Sequence, residues 1–230
     1  MLSKFPNTVL KILKWPVAIV AVLLLPASVY TYWDLVHWIT AAPESLTGFG
    51  VGVAGYVACW WLIFKRQFSG SLFSTAEHEL THAIFAWMTL HWVIGFKATW
   101  NEGGEVSYEG EGNWLITIAP YWFPTLSLPF AAVIFFTDAP NGSWPTIGLG
   151  ATLAYHVTST WRETHAQQTD LHKTGFPFAW MFLPAANLIT YAILISYAHG
   201  GADGVAQVYQ SILGHSVELW AMTGIELPRS

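Results

Sequence analysis

Apolar and polar positions in this chain alternate on the scale of whole segments rather than single turns. Apolar runs cover residues 15–32, 49–64, 71–92, 113–136, 144–161 and 176–198, separated by short polar, glycine- or proline-bearing connections. Runs of this length predict membrane-spanning helices, since about 20 apolar helical residues cross the hydrocarbon core. Lys65-Arg66 close the second run, and Ser69-Gly70 and Ser74-Thr75 offer turn and helix-start chemistry before the third. The fourth run carries Pro120, Pro124 and Pro129 and is expected to be kinked or partly irregular. A turn is expected from Asp138 through Pro140 and Asn141 to Ser143. After the third run, residues 93–100 and 105–109 are rich in β-formers and flank Asn101-Glu102-Gly103-Gly104, which predicts a β-hairpin with glycines at its reversal. Glu105, Glu109 and Glu111 then form a solvated rim. Val205, Val208, Tyr209 and Ile212 in the last segment predict an amphipathic helix lying on the membrane surface.

The expected fold is an all-α polytopic membrane protein of about six transmembrane helices with a small membrane-associated β-hairpin. It forms a single membrane domain over 1–230: two N-terminal spans in 1–68, a core in 69–198 and a tail in 199–230.

Composition agrees with a bilayer environment. The chain is 53% hydrophobic and only 10% charged, where soluble domains carry about 25% charged residues. Its 14 Trp, 14 Phe and 9 Tyr suit membrane interfaces, with Tyr30, Tyr32, Trp33 and Trp38 reading as one such belt. A net charge of −5 excludes a nucleic-acid partner, because no basic patch exists to neutralise phosphates. The single cysteine, Cys59, excludes a disulfide framework and a Cys-based zinc site and reads as a buried small hydrophobe.

The chemistry concentrates in His78-Glu79-Leu80-Thr81-His82, a His-Glu-x-x-His pattern inside the third apolar run. On a helix, residues four apart share a face, so His78 and His82 can direct two imidazoles at one Zn2+ ion while Glu79 reaches its open position. That combination points to hydrolysis by metal-activated water, with Glu79 moving the proton. Ionisable side chains in a membrane helix are costly, which also argues for a site here.

A catalytic zinc usually has a third protein ligand. The polar stretch 156–172 is the expected donor, and Asp170 is the first choice because it precedes the sixth apolar run. His156, Glu163, His165 and His172 remain alternatives; if the stretch is one helix, His156, Glu163 and Asp170 share a face by their seven-residue spacing.

His78-Glu79-x-x-His82 in a membrane helix, the hairpin at Gly103-Gly104, a proline-bearing span with Ala119-Pro120 and a distal Asp170 together resemble the site-2 protease family of intramembrane zinc metalloproteases, peptidase family M50. The similarity covers about residues 70–198, and the small size without an inserted PDZ-like domain resembles the compact bacterial branch. The resemblance implies zinc ligation by His78, His82 and Asp170, proton transfer by Glu79, a transmembrane peptide substrate paired with the hairpin at Gly103 and Gly104, and residence in a bacterial cell membrane. Leu171 follows Asp170 where the family's distal motif has glycine.

Counting spans places Asp170 and the hairpin on one face and Lys4, Lys11, Lys14, Lys65, Arg66 and Arg229 on the other, leaving Lys97, Arg162 and Lys173 beside the site. The positive-inside rule then turns the site away from the cytoplasm, whereas the resemblance implies the reverse. Two other functions fit the same residues: a non-catalytic, metal-stabilised subunit of a larger membrane complex, and a metal transporter.

Overall fold

The computed structural model describes residues 2–62, 72–100, 103–139 and 141–224. Lys65-Arg66, Ser69-Gly70, Asn101-Glu102, Pro140 and Arg229 lie outside them. Helices dominate: α1 (Lys4–Ala41), α2 (Thr47–Leu62), α3 (Leu72–Met88), then after a hairpin α4 (Trp114–Ile118), α5 (Ser127–Thr137), α6 (Trp144–Glu163), α7 (Thr169–Thr174) and α8 (Phe176–Met222). Strands β1 (Val93–Ala98) and β2 (Gly104–Tyr108) pair antiparallel, with Phe96 opposite Val106 and Ala98 opposite Gly104. Gly103 takes φ +80 at the reversal, a conformation that favours glycine. The rim acids Glu105, Glu109 and Glu111 are exposed.

Each expected apolar run contains helix, but three helical stretches alone among the described residues are long and apolar enough to cross a membrane: Lys4–Ala41, Pro43–Leu62 and Phe176–Met222. The others fall short for reasons written in their sequences. Helix α3 carries the polar motif residues, and the fourth run breaks at Ala119–Tyr121 before α5 resumes. Pro120 sits in that break, while Asn113 starts α4 by accepting from the amides of Leu115 and Ile116.

Helix α2 runs parallel to α6 at close range. Tyr56 bonds Thr158 at 2.8 Å, and lower down Gly52 lies against the backbone of Ile147 and Ala151 and Gly150 against Phe49. A Cβ at Gly52 or Gly150 would overlap a carbonyl oxygen of the partner helix, so the missing side chains set the helix separation. Because α2 rises with α6, the chain has already returned to the Glu163 end of α6 before α3 begins, and Ser74 lies 2.8 Å from Glu163.

This arrangement corrects the span count made from the sequence. The start of α1 lies at the hairpin end: Asn7 Nδ2 donates to the Glu111 carbonyl at 2.6 Å, Asn113 Nδ2 donates to Asn7 Oδ1 at 2.9 Å, and Lys14 Nζ donates to the Thr174 carbonyl at 2.7 Å. Lys4, Lys11 and Lys14 therefore share the end that holds Lys97, Arg162 and Lys173, rather than opposing them. All six Lys and Arg among the described residues lie there.

Two further expectations change. The last helix does not lie apart on a membrane surface: α8 reverses at Gly200 and Gly201, the latter at φ +58, and its second limb returns along α1. Val208 and Ile212 pack with Ala27 and Ala192, and Asp34 accepts from Ser211 at 2.7 Å and faces His215 Nε2 at 2.9 Å. The apolar stripe is thus spent on helix packing. Cys59 is exposed on the outer side of α2 rather than buried; a small apolar side chain there suits lipid as well as core.

Replacing Gly52 with Val is expected to lower stability in detergent by about 1–3 kcal/mol through overpacking, read as a fall in melting temperature. Gly50→Val on the same helix, where nothing lies within 4 Å of a new Cβ, is expected to leave it nearly unchanged.

Candidate metal centre

Helix α3 brings His78 and His82 onto one face, and both are buried at 8% relative exposure. Asp170 comes from the first turn of α7, delivered by the loop that follows the end of α6. Its Oδ2 lies 3.4 Å from His78 Nε2 and 3.3 Å from His82 Nε2. One ligand atom from each of the three residues falls within 4.8 Å of the others.

The other ring nitrogens decide what these atoms can do. His78 Nδ1 is 2.8 Å from Glu163 Oε2, and His82 Nδ1 is 2.8 Å from the Ile116 carbonyl oxygen. A carboxylate and a carbonyl only accept, so in each neutral ring Nδ1 carries the hydrogen and Nε2 presents a lone pair. Two lone pairs and a carboxylate oxygen facing one another form a donor set that could hold a metal ion. The two 3.3–3.4 Å separations match the edge of a tetrahedron with bonds of about 2.0–2.2 Å, as zinc forms with nitrogen and oxygen. The donor set fits Zn2+, and it fits other divalent ions of similar size.

Glu79 lies beside this cluster, also buried at 8%, beneath the start of β2. At Gly104 a Cβ would overlap the Glu79 side chain and approach Oε1 to 2.7 Å, so only glycine lets the strand pass so close. The two form one wall of a cavity of about 440 Å³ that His78, His82, Gly103, Tyr108 and Asp170 also line. Burial and the nearby Asp170 charge raise the Tyr108 hydroxyl above its ordinary pKa, keeping it a neutral donor at the cavity edge.

The sequence alternatives for a third ligand separate clearly. The polar stretch is not one helix, because α6 ends at Glu163 and α7 starts at Thr169, so the seven-residue spacing does not align their faces. His156 is buried at 2% on α6, with Thr160 Oγ1 at 3.4 Å and the Tyr191 ring beside it. His165 and His172 are exposed; His172 Nε2 meets the Ala166 carbonyl at 2.8 Å. Glu163 stands behind His78 instead of at the convergence point.

Three contributors were not singled out from sequence for these roles. Ser74 and Ser159 both donate to Glu163 Oε1, at 2.8 and 2.9 Å. Tyr121, fully buried, directs its hydroxyl at Asp170 Oδ2 from 3.4 Å and stacks its ring edge-on to His78. The i,i+4 spacing of Ser159 and Glu163 is a readable signal; the reach of Tyr121 depends on the break after α4 and has none.

No curated protein and no solved structure matches the chain. A family model described as Peptidase M50B-like matches residues 49–198. That stretch runs from α2 to the first limb of α8 and contains His78, Glu79, His82, Glu163 and Asp170 together with the hairpin. The chain belongs to the Peptidase M50B-like family, a family of membrane metalloproteases, and is an integral membrane protein.

Proposed function

We propose that the protein is a multi-pass intramembrane zinc endopeptidase in which His78, His82 and Asp170 hold the metal and Glu79 is the general base. The observation that carries this reading is the convergence of two imidazole nitrogens on one carboxylate oxygen, at 3.3 and 3.4 Å, with Glu79 alongside. Three protein ligands leave one position open, as catalytic rather than structural zinc sites do.

Bound zinc supplies a polarised carbonyl and a water whose pKa falls towards about 7. Glu79 takes the proton released as water adds to the scissile carbonyl, and returns it to the leaving amine nitrogen when the C–N bond breaks. One carboxylate serves both transfers. Burial of Glu79 under Gly104 keeps it close to the reacting groups, and Asp170 is steadied by Tyr121.

The substrate is a membrane-embedded or juxtamembrane peptide bond in an unwound segment. Among the described residues strand β2 pairs only with β1, and Gly103 to Val106 line the cavity, so an extended segment can add along the other edge of β2. Backbone pairing of this kind selects for extended conformation before it selects for side chains.

The charge distribution supports an orientation. With all six described cations at the hairpin end, and Glu44 and Asp138 at the other, the positive-inside rule turns the site towards the cytoplasm. The conflict raised by the span count disappears once α1 starts at the hairpin end.

Glu79→Gln is expected to keep one zinc per chain and lose at least about 100-fold in turnover of a membrane-embedded peptide reporter. His78→Ala and Asp170→Ala are expected to lose the metal. A fully active Glu79→Gln enzyme would refute the mechanism. Gly104→Val is expected to retain zinc yet cleave poorly, because the new side chain displaces Glu79; normal cleavage would remove the hairpin from the account. For orientation, a Cys59→Ser background carrying Asp203→Cys should react with an impermeant maleimide on intact cells, and one carrying Glu109→Cys only after permeabilisation. The opposite labelling pattern reverses the assignment.

A further inference from the structure

We propose that Glu163 is a positioning residue for the metal centre. Clamped by Ser74 and Ser159, it fixes the tautomer and ring angle of His78 and strengthens Nε2 as a donor, so metal affinity itself depends on it. The inference rests on the reading that His78, His82 and Asp170 hold the metal.

The geometry leaves Glu163 little freedom. Its Oε2 meets His78 Nδ1 at 2.8 Å while Oε1 accepts from Ser74 at 2.8 Å and from Ser159 at 2.9 Å. Glu163 also lines the cavity, but moving its carboxylate to the point where His78, His82 and Asp170 meet would break all three bonds, which separates it from the ligands although it belongs to the same polar stretch. Its address is otherwise unfavourable for an acid. It is the last residue of α6, where the helix dipole disfavours negative charge, and its side chain is only 25% exposed. Serines from two different helices offset that cost and also tie α3 to α6 beside the metal ligands.

The two imidazoles are therefore not equivalent. His82 leans on the neutral Ile116 carbonyl, whereas His78 leans on a carboxylate. A carboxylate behind a metal-binding histidine raises its basicity, and removing such a partner costs about 10- to 100-fold in metal affinity. His78 is the stronger of the two nitrogen donors, and α6 sets its strength from behind.

The test uses the full chain in detergent, titrated with Zn2+ against a chromophoric chelator and loaded with Co2+ for visible absorption. Wild type is expected to bind one ion. Glu163→Gln, which keeps the shape, is expected to weaken Zn2+ about 10-fold or more, still saturate at one ion, and shift the Co2+ bands without changing their tetrahedral intensity. Ser159→Ala, which only deletes a hydroxyl, should move affinity in the same direction by less. Matched melting of the metal-free forms checks the fold. Unchanged affinity and spectrum in Glu163→Gln and Ser159→Ala overturn the proposal while leaving the ligand set standing. Failure of Glu163→Gln to saturate, as expected for Asp170→Ala, overturns it by making Glu163 a ligand. A folded wild type that binds no metal fails the underlying reading instead.

Discussion

A neutral imidazole has one hydrogen and one lone pair on its two nitrogens, and whatever occupies Nδ1 fixes what Nε2 can offer. The centre of this protein depends on that constraint being met twice in a buried setting. Glu163 meets it for His78 and the Ile116 carbonyl meets it for His82. The carboxylate comes from the end of α6 and the carbonyl from the first turn of α4, so the directions of both lone pairs are set by helices that contribute no residue to the His78, His82 and Asp170 cluster. Asp170 then completes the cluster from a short helix whose Leu171 is anchored in the core with Ile118, Tyr121 and Phe178.

The scaffold follows from the same economy. The break at Ala119–Tyr121 costs backbone hydrogen bonds, yet it lets α4 end early enough for Tyr121 to turn in towards Asp170. Asn187 Nδ2 donates to the Tyr121 carbonyl at 3.0 Å, supplying from α8 one of the bonds the break removes. Close packing of α2 on α6 through Gly52 and Gly150 holds the helix that carries Ser159 and Glu163. Small residues allow this approach where lipid offers no hydrophobic drive between helices.

Much of this was legible in the sequence because it is local. The four-residue spacing of His78 and His82 needs only a helix, and the β-rich stretch around Gly103 needs only a turn, so both are readable without tertiary knowledge. The break at Pro120 is equally local. Asp170 was preferred for its place before an apolar run, and the structure brings it to both histidines. What could not be read depended on distant packing. Glu163 looks like any acid in a polar stretch until Ser74 arrives from α3. The tail's apolar stripe fits a membrane surface and a helix partner equally well, and only the reversal at Gly200 and Gly201 selects the second. Counting apolar runs also assumes that each one crosses, which fails for α3, because Ser74 near its start and the hairpin that follows it both lie at the Glu163 end.

The gathering of every described lysine and arginine at the hairpin end has an electrical consequence. In the proposed orientation these six cations sit on the negative side of an energised membrane. Carrying a unit charge across such a potential costs about 2.3 kcal/mol per 100 mV. An inverted copy would hold the same charges against the field. The membrane voltage therefore acts as a standing force that keeps the molecule right side up after insertion, drawing on no contact within the fold.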